Sequence, residues 1–545
     1  MASVKFNRKI FEKEIGKLTE EMQQKIALFG TTVEELSEKE IELDVTPNRP
    51  DLLSYYGFRR SFLTYLGKKT GLKKYKLNKP EKDYVVKVDS SVKEVRPYTV
   101  CALVRGLKLN DEKIKDLIEL QEKLHSTIGR RRKKMALGIY PLEKIKLPIT
   151  YKAIEPDRIR FQPLESPREM SGLEILQKHP TGKEYAHLLA GKIKFPIFVD
   201  ADENILSMPP IINSEKTGRV NEKTKEVFIE CSGFDLETLN KCLNIVVTVL
   251  AEMKGKIYQM KVKDKITPDL SNEQMNLSFN KTNKLLGLDL KEKDLKSLIE
   301  KMGHDYKEGI VLIPSWRVDI LHPVDLMEDV AIAYGYNNFD PVIPKISTIG
   351  EEEPFAVIKR KISEILISAG LLEVSNYHLT RKQDQFTKMG IPEKKEEGFI
   401  DIEESKTDYD ILRKSLAHFA LKIFSENNDC EYPQKIFEEG RVFNLVNEKI
   451  VESEKLCVAF TPGNFTDVKQ ILDYLERNLG IKFEIKPKDG VETYFIDGRL
   501  AEIYLDNKKI GVIGEVHPRI LKNWRIKMPV SLFELDLEEI FEKFR

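Results

Sequence analysis

The chain has 545 residues, which at about 150 residues per domain predicts three or four domains and excludes a single compact fold. Its 89 Lys and Arg residues nearly balance its 88 Asp and Glu residues, for a formal charge of +1. No overall field therefore drives the chain onto nucleic acid or membrane, and any polyanion site must be a local patch. Apolar residues make up 41% of the chain, which excludes disorder throughout.

The cysteines and the N-terminus indicate the compartment. The five cysteines share no short spacing, so neither a CxxC metal knuckle nor a disulfide framework is indicated, and a reducing environment is expected. The first residues are charged where a signal peptide would be apolar, and no apolar run approaches the length of a membrane span. We therefore expect a soluble, cytoplasmic protein with no membrane segment.

Residues 1–83 are predicted to form an N-terminal module. Pro47 and Pro50 restrict the backbone of a loop, and Asp51 is the predicted N-cap of the helix that follows. The lysine-rich stretch 68–82 indicates a linker. The first domain boundary is therefore expected at residue 83.

Residues 84–260 have the pattern of an α+β domain. Predicted strands cover 84–88, 98–104, 135–139, 195–200 and 227–233, and predicted helices cover 114–128 and 236–253. The strands 98–104 and 227–233 are continuous apolar runs, which indicates burial on both faces. Glu230 and Ser232 lie near the end of the second run, where they either line a pocket or mark the passage from core to loop.

A basic run from Arg130 to Lys134 follows the helix 114–128. Five successive positive charges could neutralise a nucleic-acid phosphate backbone. They equally fit a solvated helix C-terminus, where positive charge interacts favourably with the helix dipole. His125 lies beside the run, and a lone histidine at a helix end is more often a surface or capping residue than a catalytic one.

Residues 261–342 form a smaller predicted unit, in which a strand leads into a helix that runs from about residue 323 to 335. Four carboxylates surround the start of this helix: Asp319, Asp325, Glu328 and Asp329. Oxygen donors without His or Cys suit a hard ion such as Mg²⁺. Asp325 and Glu328 also fit an N-terminal capping pair, so the spacing leaves both interpretations open.

Residues 343–545 are predicted to be rich in strands and to begin with a helix that ends at Gly370 as its C-cap. The whole sequence lacks GxxxxGK[ST], GxGxxG before a helix, HExxH, GxSxG and the HIGH and KMSKS pair. No self-contained nucleotide site is therefore indicated.

Several short stretches together identify a family. They are 46–54, 125–134, 208–214, 315–319 with 328–331 and 334–337, and 511–518 with 533–536. In this order, and over essentially the full length, the chain resembles the β subunit of archaeal and eukaryotic phenylalanyl-tRNA synthetases.

The resemblance implies a multidomain α+β fold. The N-terminal module is followed by an α+β editing domain, a small helical, winged-helix-like domain associated with metal and tRNA, and an antiparallel class II synthetase-like domain that has lost catalysis. It also implies an α2β2 phenylalanine–tRNA ligase that joins phenylalanine to tRNA(Phe) with ATP, with the aminoacylation site in the α subunit. In such an enzyme the β subunit hydrolyses mischarged Tyr-tRNA(Phe).

The expected site residues follow in three groups. The editing residues are Glu230, Ser232, Asn213 and Ser207, with Glu230 accepting a hydrogen bond from the tyrosine hydroxyl. The tRNA-binding residues are Arg130, Arg132 and Lys133. The resemblance places the Mg²⁺ ligands at Asp319, Asp325, Glu328 and Asp329.

Two departures from the family pattern concern the editing site. The chain has Tyr140-Pro141 where relatives usually carry His-Asp, and Glu230-Cys231-Ser232-Gly233 where they tend to carry Asp-x-Thr-Gly. The second departure keeps a carboxylate and a hydroxyl but lengthens one side chain. The alternative function is therefore a non-editing scaffold that binds α and tRNA, and a third, a free-standing hydrolase, is supported only by the carboxylate cluster.

Overall fold

The structure is a computed structural model that describes residues 2–344, 346, 349–391, 397–403, 405–488 and 494–544. The chain divides after Ile343 into two compact units. Both contain helices and sheets, which confirms the α+β class and the presence of several domains. None of the described helices is long and apolar enough to cross a membrane.

The first unit begins with a small antiparallel sheet and three helices. The elements are β1 (Ala2–Asn7), α1 (Arg8–Glu14), α2 (Glu20–Leu28), β2 (Thr31–Leu36), β3 (Glu40–Val45) and α3 (Tyr55–Tyr65). The strand order is β1-β3-β2. Aromatic rings join sheet to helix, since the rings of Phe6 and Phe58 lie 5.5 Å apart and Phe58 stacks on Phe62.

The predicted N-cap of α3 was wrong. The Ser54 hydroxyl caps the helix by accepting a hydrogen bond from the Gly57 amide at 3.0 Å. Asp51 is instead fully buried, and both of its carboxylate oxygens accept hydrogen bonds from Arg49, at 2.9 and 3.0 Å. The buried guanidinium competes for Asp51, so a serine three residues further on starts the helix.

The middle of the first unit is organised around an eleven-stranded sheet. The strands are β4 (Leu77–Asn78), β5 (Val85–Val88), β6 (Tyr98–Arg105), β7 (Met135–Pro141), β8 (Ile149–Ile154), β11 (Phe195–Val199), β12 (Ile205–Met208), β13 (Ile212–Asn213), β14 (Glu226–Gly233), β15 (Lys256–Val262) and β16 (Lys265–Thr267), while β9 (Arg160–Phe161) and β10 (Met170–Ser171) pair separately. The helices are α4 (Asp111–Ser126), α5 (Gly172–Lys178), α6 (Pro180–Tyr185), α7 (Glu215–Gly218) and α8 (Leu236–Glu252). The five strands and two helices predicted here are confirmed, with ends shifted by a few residues.

The order of this sheet explains how it forms a site. It runs β13-β12-β11-β8-β5-β15-β6-β14-β7, with β4 and β16 also paired to β15. Although β13 and β7 are the two ends of that order, the Tyr140 hydroxyl of β7 lies 3.2 Å from Asn213 Oδ1 of β13. The sheet therefore curls until its two end strands approach each other. Helix α8 covers one face by packing on β6 and β14.

The last part of the first unit is a three-stranded sheet with three helices. Its elements are β17 (Glu273–Asn276), α9 (Phe279–Leu286), α10 (Glu292–Lys301), β18 (Asp305–Lys307), β19 (Ile310–Ile313) and α11 (Pro323–Tyr334), with the strand order β17-β19-β18. The predicted helix from 323 to 335 is confirmed as α11. Leu295, Ile299, Leu326 and Val330 are buried between α10 and α11 in a core shared with the N-terminal helices.

The second unit contains a seven-stranded sheet. Its elements are α12 (Pro354–Ser368), β20 (Leu372–Glu373), β21 (Leu379–Thr380), β22 (Ile411–Leu412), α13 (Ala417–Glu426), β23 (Gln434–Val446), β24 (Lys449–Thr461), α14 (Phe465–Leu479), β25 (Glu484–Pro487), β26 (Phe495–Leu505), β27 (Lys508–Val516), α15 (Pro518–Asn523), β28 (Ser531–Asp536) and α16 (Glu538–Lys543). The order is β20-β23-β24-β28-β27-β26-β25, antiparallel except for β20 beside β23.

Two apolar cores cover the two faces of this second sheet. Leu456 and Val458 of β24 belong to the core with α12 and α14, whereas Cys457 and Ala459 belong to the core with α13. This alternation follows from the two-residue period of a strand. The predicted entry helix is confirmed, and Gly370 follows it with φ of 83°, a left-handed conformation that favours glycine.

The revised start of α3 predicts unequal effects of two substitutions. Ser54→Ala removes a cap and should lower the free energy of unfolding by about 1 kcal/mol. Asp51→Ala leaves the buried Arg49 guanidinium without its carboxylate and should lower it by about 3–5 kcal/mol. Urea denaturation followed by circular dichroism measures both. Equal effects would show that Asp51 acts only as a cap.

Candidate functional site

A cavity of about 340 Å³ opens beside the curled sheet. Its wall combines β7, β12, β13 and β14 with the helices α4 and α6 and the loop 209–211. The lining residues are Gln121, Glu122, Arg132, Ala136, Leu137, Leu164, Glu165, Thr181, Glu184, Tyr185, Ser207, Pro209, Pro210, Ile211, Ile212, Asn213 and Glu230. Three of the four expected editing residues, Glu230, Asn213 and Ser207, therefore line a single cavity.

Glu230 is the most buried ionisable group of this cavity. It lies in β14 opposite Cys101 of β6 and Gly138 of β7, and its exposure is 2%. Burial raises the pKa of Glu230 to about 8, against smaller opposing effects of Tyr140, Arg96 and the Ser232 hydroxyl. Among the described residues its Oε2 atom has no hydrogen-bond partner. The side chain therefore presents an unused acceptor at a lining position.

Tyr140 connects Glu230 to the other end of the sheet. Its hydroxyl lies 3.2 Å from Glu230 Oε1 and 3.2 Å from Asn213 Oδ1. The ring is fully buried, and burial raises the pKa of its hydroxyl well above the usual value. The sequence marked Tyr140 only as a departure from the family pattern. Its position two residues after Gly138 on one face of β7 is the signal that would have placed it beside Glu230.

Ser232 does not line the cavity and instead holds a buried cation. Arg96 donates to the Ser232 hydroxyl at 3.2 Å and to its carbonyl oxygen at 2.7 Å. Arg96 is 2% exposed, and its guanidinium also lies over the Phe234 ring. Ser232 consequently fixes the end of β14. It is two residues after Glu230, so the two side chains are neighbours on the same face of the strand.

Arg132 forms part of the mouth of the cavity. Its guanidinium donates to the Ile211 carbonyl at 2.8 Å and to Glu122 at 3.0 Å, and it lies over the Tyr185 ring at 4.4 Å. Neither Glu122 nor Tyr185 was expected at the site from the sequence. Arg132 therefore joins α4, α6 and the loop 209–211 in addition to contributing positive charge.

The basic run is an unusual turn that separates its arginines. Arg130, Arg131 and Arg132 all have positive φ, of 46°, 53° and 64°, a conformation that disfavours side chains with a Cβ atom. Arg132 turns into the cavity, whereas Arg130 lines a second groove with Lys123 and Lys134. No ion pair is formed by the side chains of Arg130 or Arg131 within the described part of the chain.

His125 is a structural residue. Its Nε2 atom accepts a hydrogen bond from the Leu137 amide at 2.8 Å, so its Nδ1 atom carries the proton toward Glu122 at 3.3 Å. Burial lowers the pKa of this imidazole. His125 is buried rather than at the surface, and both ring nitrogens are engaged by the protein.

The four expected metal ligands lie in three different environments. Asp319 and Asp329 both accept hydrogen bonds from the buried Arg317 guanidinium, at 2.8 and 2.9 Å. Asp325 accepts from the Leu321 and His322 amides, both at 2.7 Å, as the N3 residue of a capping box, and Glu328 is exposed.

Within the described residues, no group of three or more His, Cys, Asp or Glu side chains is placed to hold a metal ion. The four carboxylates by themselves therefore do not fit a Mg²⁺ site. The capping interpretation holds for Asp325, although its partner is His322 rather than Glu328.

The Arg317 network is extensive and buried. His304 Nε2 lies 2.7 Å from Asp329 Oδ2, and Arg317 also contacts that histidine. Burial by itself would raise the pKa of Asp319, but Arg317 and Arg49 hold it well below its usual range. A guanidinium thus supplies the positive charge that these carboxylates require.

Comparison with known proteins relates the chain to one family. The family model described as the phenylalanyl tRNA synthetase beta chain CLM domain matches residues 340–537, and the tRNA synthetase B5 domain matches 275–336. The phenylalanine–tRNA ligase beta subunits of Thermococcus sibiricus and Pyrococcus furiosus are 41% and 43% identical over 510 residues, covering 91% of this chain and 90% of each relative.

A solved structure gives the same relationship for the first part of the chain. It is an N-terminal fragment of the phenylalanyl-tRNA synthetase beta-subunit from Pyrococcus horikoshii, which is 40% identical with a TM-score of 0.59. The match covers 61% of this chain and 99% of the fragment.

The raised pKa of Glu230 predicts a pH dependence of stability. Folded Glu230 holds its proton up to about pH 8, whereas the unfolded side chain releases it near pH 4.5. Between these values the unfolded state binds fewer protons, so the free energy of unfolding falls as the pH rises. Glu230→Gln is neutral throughout, and its stability relative to wild type should grow over this window by a few kcal/mol at about 1.4 kcal/mol per pKa unit. Thermal denaturation from pH 4.5 to 8.5 measures the difference, and a constant difference would contradict it.

Proposed function

This chain belongs to the family of phenylalanine–tRNA ligase beta subunits, and on that premise we propose that it acts with an α subunit in an α2β2 complex. The complex uses ATP to join phenylalanine to tRNA(Phe) in the cytoplasm, and the cavity at Glu230 hydrolyses mischarged Tyr-tRNA(Phe). The observation that carries the editing proposal is a buried carboxyl oxygen, Glu230 Oε2, that lacks a hydrogen-bond partner among the described residues of a lined cavity.

Aminoacylation is assigned to the partner because this chain offers no nucleotide-binding motif. In β23, Arg441 pairs with Glu452 and Glu454 of the neighbouring strand, at 2.9 and 3.0 Å. The buried Arg413 is likewise bound to Glu438 at 2.7 Å. These two arginines of the second unit are therefore engaged by carboxylates of the chain itself, which supports assigning ATP binding to the partner.

Editing requires a site that selects tyrosine over phenylalanine. An apolar pocket rejects an added hydroxyl by only about a hundredfold, whereas a site built to hydrogen-bond that hydroxyl rejects the analogue without it far more strongly. A tyrosine ring in the cavity would donate its hydroxyl hydrogen to Glu230 Oε2. A phenylalanine ring would leave that oxygen buried and unpaired, which is unfavourable.

Hydrolysis in this cavity rests on positioning. His125, which contacts the lining residues Glu122 and Leu137, is engaged at both nitrogens, and Glu230 is occupied with recognition. Ser207 and Asn213 lie on adjacent strands and face each other in register, where they would hold the amino acid or the attacking water. Fixing water close to the ester gives most of the rate in this scheme, and the tRNA's own hydroxyls would carry the proton.

The tRNA is proposed to enter over the turn 129–134. Arg132 at the mouth would meet the 3′ end, while Arg130 in the outer groove and the exposed Lys133 would meet phosphates further along the strand. No step is assigned to Mg²⁺. Of the four carboxylates that the resemblance selected, three accept hydrogen bonds from groups of this chain, and the fourth is exposed and separate from them.

Glu230→Ala tests editing in the α–β complex. Loss of the acceptor should slow deacylation of Tyr-tRNA(Phe) at least tenfold and let Tyr-tRNA(Phe) accumulate, while charging with phenylalanine stays unchanged. Glu226→Ala is the matched control, because Glu226 lies on the same strand and pairs with Arg105 at 2.8 Å. Deacylation of purified Tyr-tRNA(Phe) is the measurement. If the wild-type complex already fails to deacylate it, the non-editing scaffold is the correct function.

Two arginines of the turn should have separable effects. Arg130→Ala should weaken tRNA binding and reduce the salt dependence of log Kd by about one charge, with no change in the preference for Tyr-tRNA. Arg132→Ala should also change that preference, because Arg132 holds the loop 209–211 through the Ile211 carbonyl. Binding titrations at several salt concentrations, combined with deacylation of both aminoacyl-tRNAs, distinguish the two. Identical profiles would refute the division of roles.

A further inference from the structure

The Tyr140 hydroxyl and the two oxygens that it contacts share too few hydrogens if Glu230 is ionised. The Tyr140 hydroxyl lies within hydrogen-bond distance of both Glu230 Oε1 and Asn213 Oδ1. A phenol has one hydrogen, and an ionised carboxylate and an amide oxygen only accept. Two contacts need two hydrogens, and a protonated Glu230 supplies the second one.

We propose that Tyr140 is a positioning residue that fixes the proton of a neutral Glu230 on Oε1 and thereby keeps Oε2 as the acceptor for the substrate's phenol. In this arrangement Glu230 Oε1–H donates to Tyr140, and Tyr140 donates to Asn213 Oδ1. The inference rests on the proposed editing function and identifies which residue makes the site select a hydroxyl donor. Without Tyr140 the proton is free to occupy Oε2, which would then donate rather than accept.

Gly138 supports the proposal because its lack of a side chain makes the contact possible. A Cβ atom at Gly138 would collide with the Tyr140 hydroxyl and lie 2.7 Å from Glu230 Oε1. Gly138 is not among the glycines with positive φ, so its backbone does not require glycine. The requirement comes from the side chains of Tyr140 and Glu230, which meet directly above it.

The other ionisable groups near Glu230 do not replace this role. Cys101 faces it from β6, and burial raises the pKa of that thiol. Arg96 lies two residues before the start of β6, and its guanidinium is bound to Ser232. Tyr151 of β8 donates to the Arg96 carbonyl at 2.9 Å. In the described surroundings no cation makes an ion pair with Glu230, consistent with a neutral acid.

Two variants break the contact in different ways. Tyr140→Phe removes the hydroxyl and keeps the ring, and Gly138→Ala keeps both groups but forces them apart. Tyr151→Phe is the matched control, because it removes another buried tyrosine hydroxyl of the same domain at a site outside the cavity. Circular dichroism and thermal denaturation select the variants that remain folded, and the contrast between Tyr140→Phe and Tyr151→Phe suffices if Gly138→Ala does not fold.

The first measurement is independent of catalysis. Infrared difference spectra of the full chain, wild type minus Glu230→Gln, should show the carbonyl band of a protonated carboxylic acid at pH 7. The band should shift in Tyr140→Phe and Gly138→Ala and stay unchanged in Tyr151→Phe. Absence of the band in wild type would overturn the inference, because an ionised Glu230 would mean that the Asn213 amide is turned to donate to Tyr140.

The second measurement is deacylation by the α–β complex. Tyr140→Phe should raise the KM for Tyr-tRNA(Phe) about tenfold, the equivalent of one hydrogen bond, with kcat nearly unchanged and the preference over Phe-tRNA(Phe) reduced. An unchanged KM with the band present would overturn the positioning role. If the band and its shift are observed but wild type does not hydrolyse Tyr-tRNA(Phe), the proposed function fails, and the assignment of Tyr140 to substrate selection fails with it while the proton arrangement stands.

Discussion

The burial of a carboxyl group in the middle of a β-sheet is the constraint on which the site depends. Glu230 lies on a strand flanked by two others and is 2% exposed. An ionised carboxylate there would need a cation or several hydrogen-bond donors. The nearby guanidinium of Arg96 is bound to Ser232, so the sheet accommodates Glu230 through a tyrosine hydroxyl, in the space above Gly138 that a Cβ atom would otherwise fill.

The sequence predicted the local elements of this region because their signals are local. The uninterrupted apolar runs at 98–104 and 227–233 predicted buried strands, and both are confirmed as β6 and β14. Glu230, Asn213 and Ser207 were expected together only through the family resemblance. Their proximity to Tyr140 depends on the curl of the sheet, which brings the Tyr140 hydroxyl of β7 within 3.2 Å of Asn213 Oδ1 of β13. The spacing of residues along the chain does not reveal that the two end strands of the sheet approach each other.

Charged residues that are close together in the sequence do not necessarily share one site in the structure. The carboxylates at 319, 325, 328 and 329 share a short stretch, yet Arg317 and His304 determine the environments of Asp319 and Asp329. The position of Asp51 in the sequence predicted a helix N-cap, but its carboxylate is bound by Arg49. Burial by itself would lower the pKa of Arg317, but Asp329, Asp319 and, to a smaller extent, Asp51 raise it. The two Arg-x-Asp pairs therefore influence each other electrostatically although more than 260 positions of the printed sequence separate them.

The two departures from the family pattern become one feature when the side chains are placed in space. Lengthening the carboxylate side chain by one methylene extends the carboxyl group along the face of the sheet toward position 140. A tyrosine at that position reaches back over Gly138 and meets the carboxyl group, and if the carboxyl were withdrawn its hydroxyl would keep only the contact with Asn213 Oδ1. Removal of the tyrosine hydroxyl alone would leave the buried Glu230 Oε1 without its one hydrogen-bond partner among the described residues, at about 1–3 kcal/mol. The hydroxyl of Tyr140 and the carboxyl group of Glu230 partner each other in this chain, so the two positions act as one feature of the cavity.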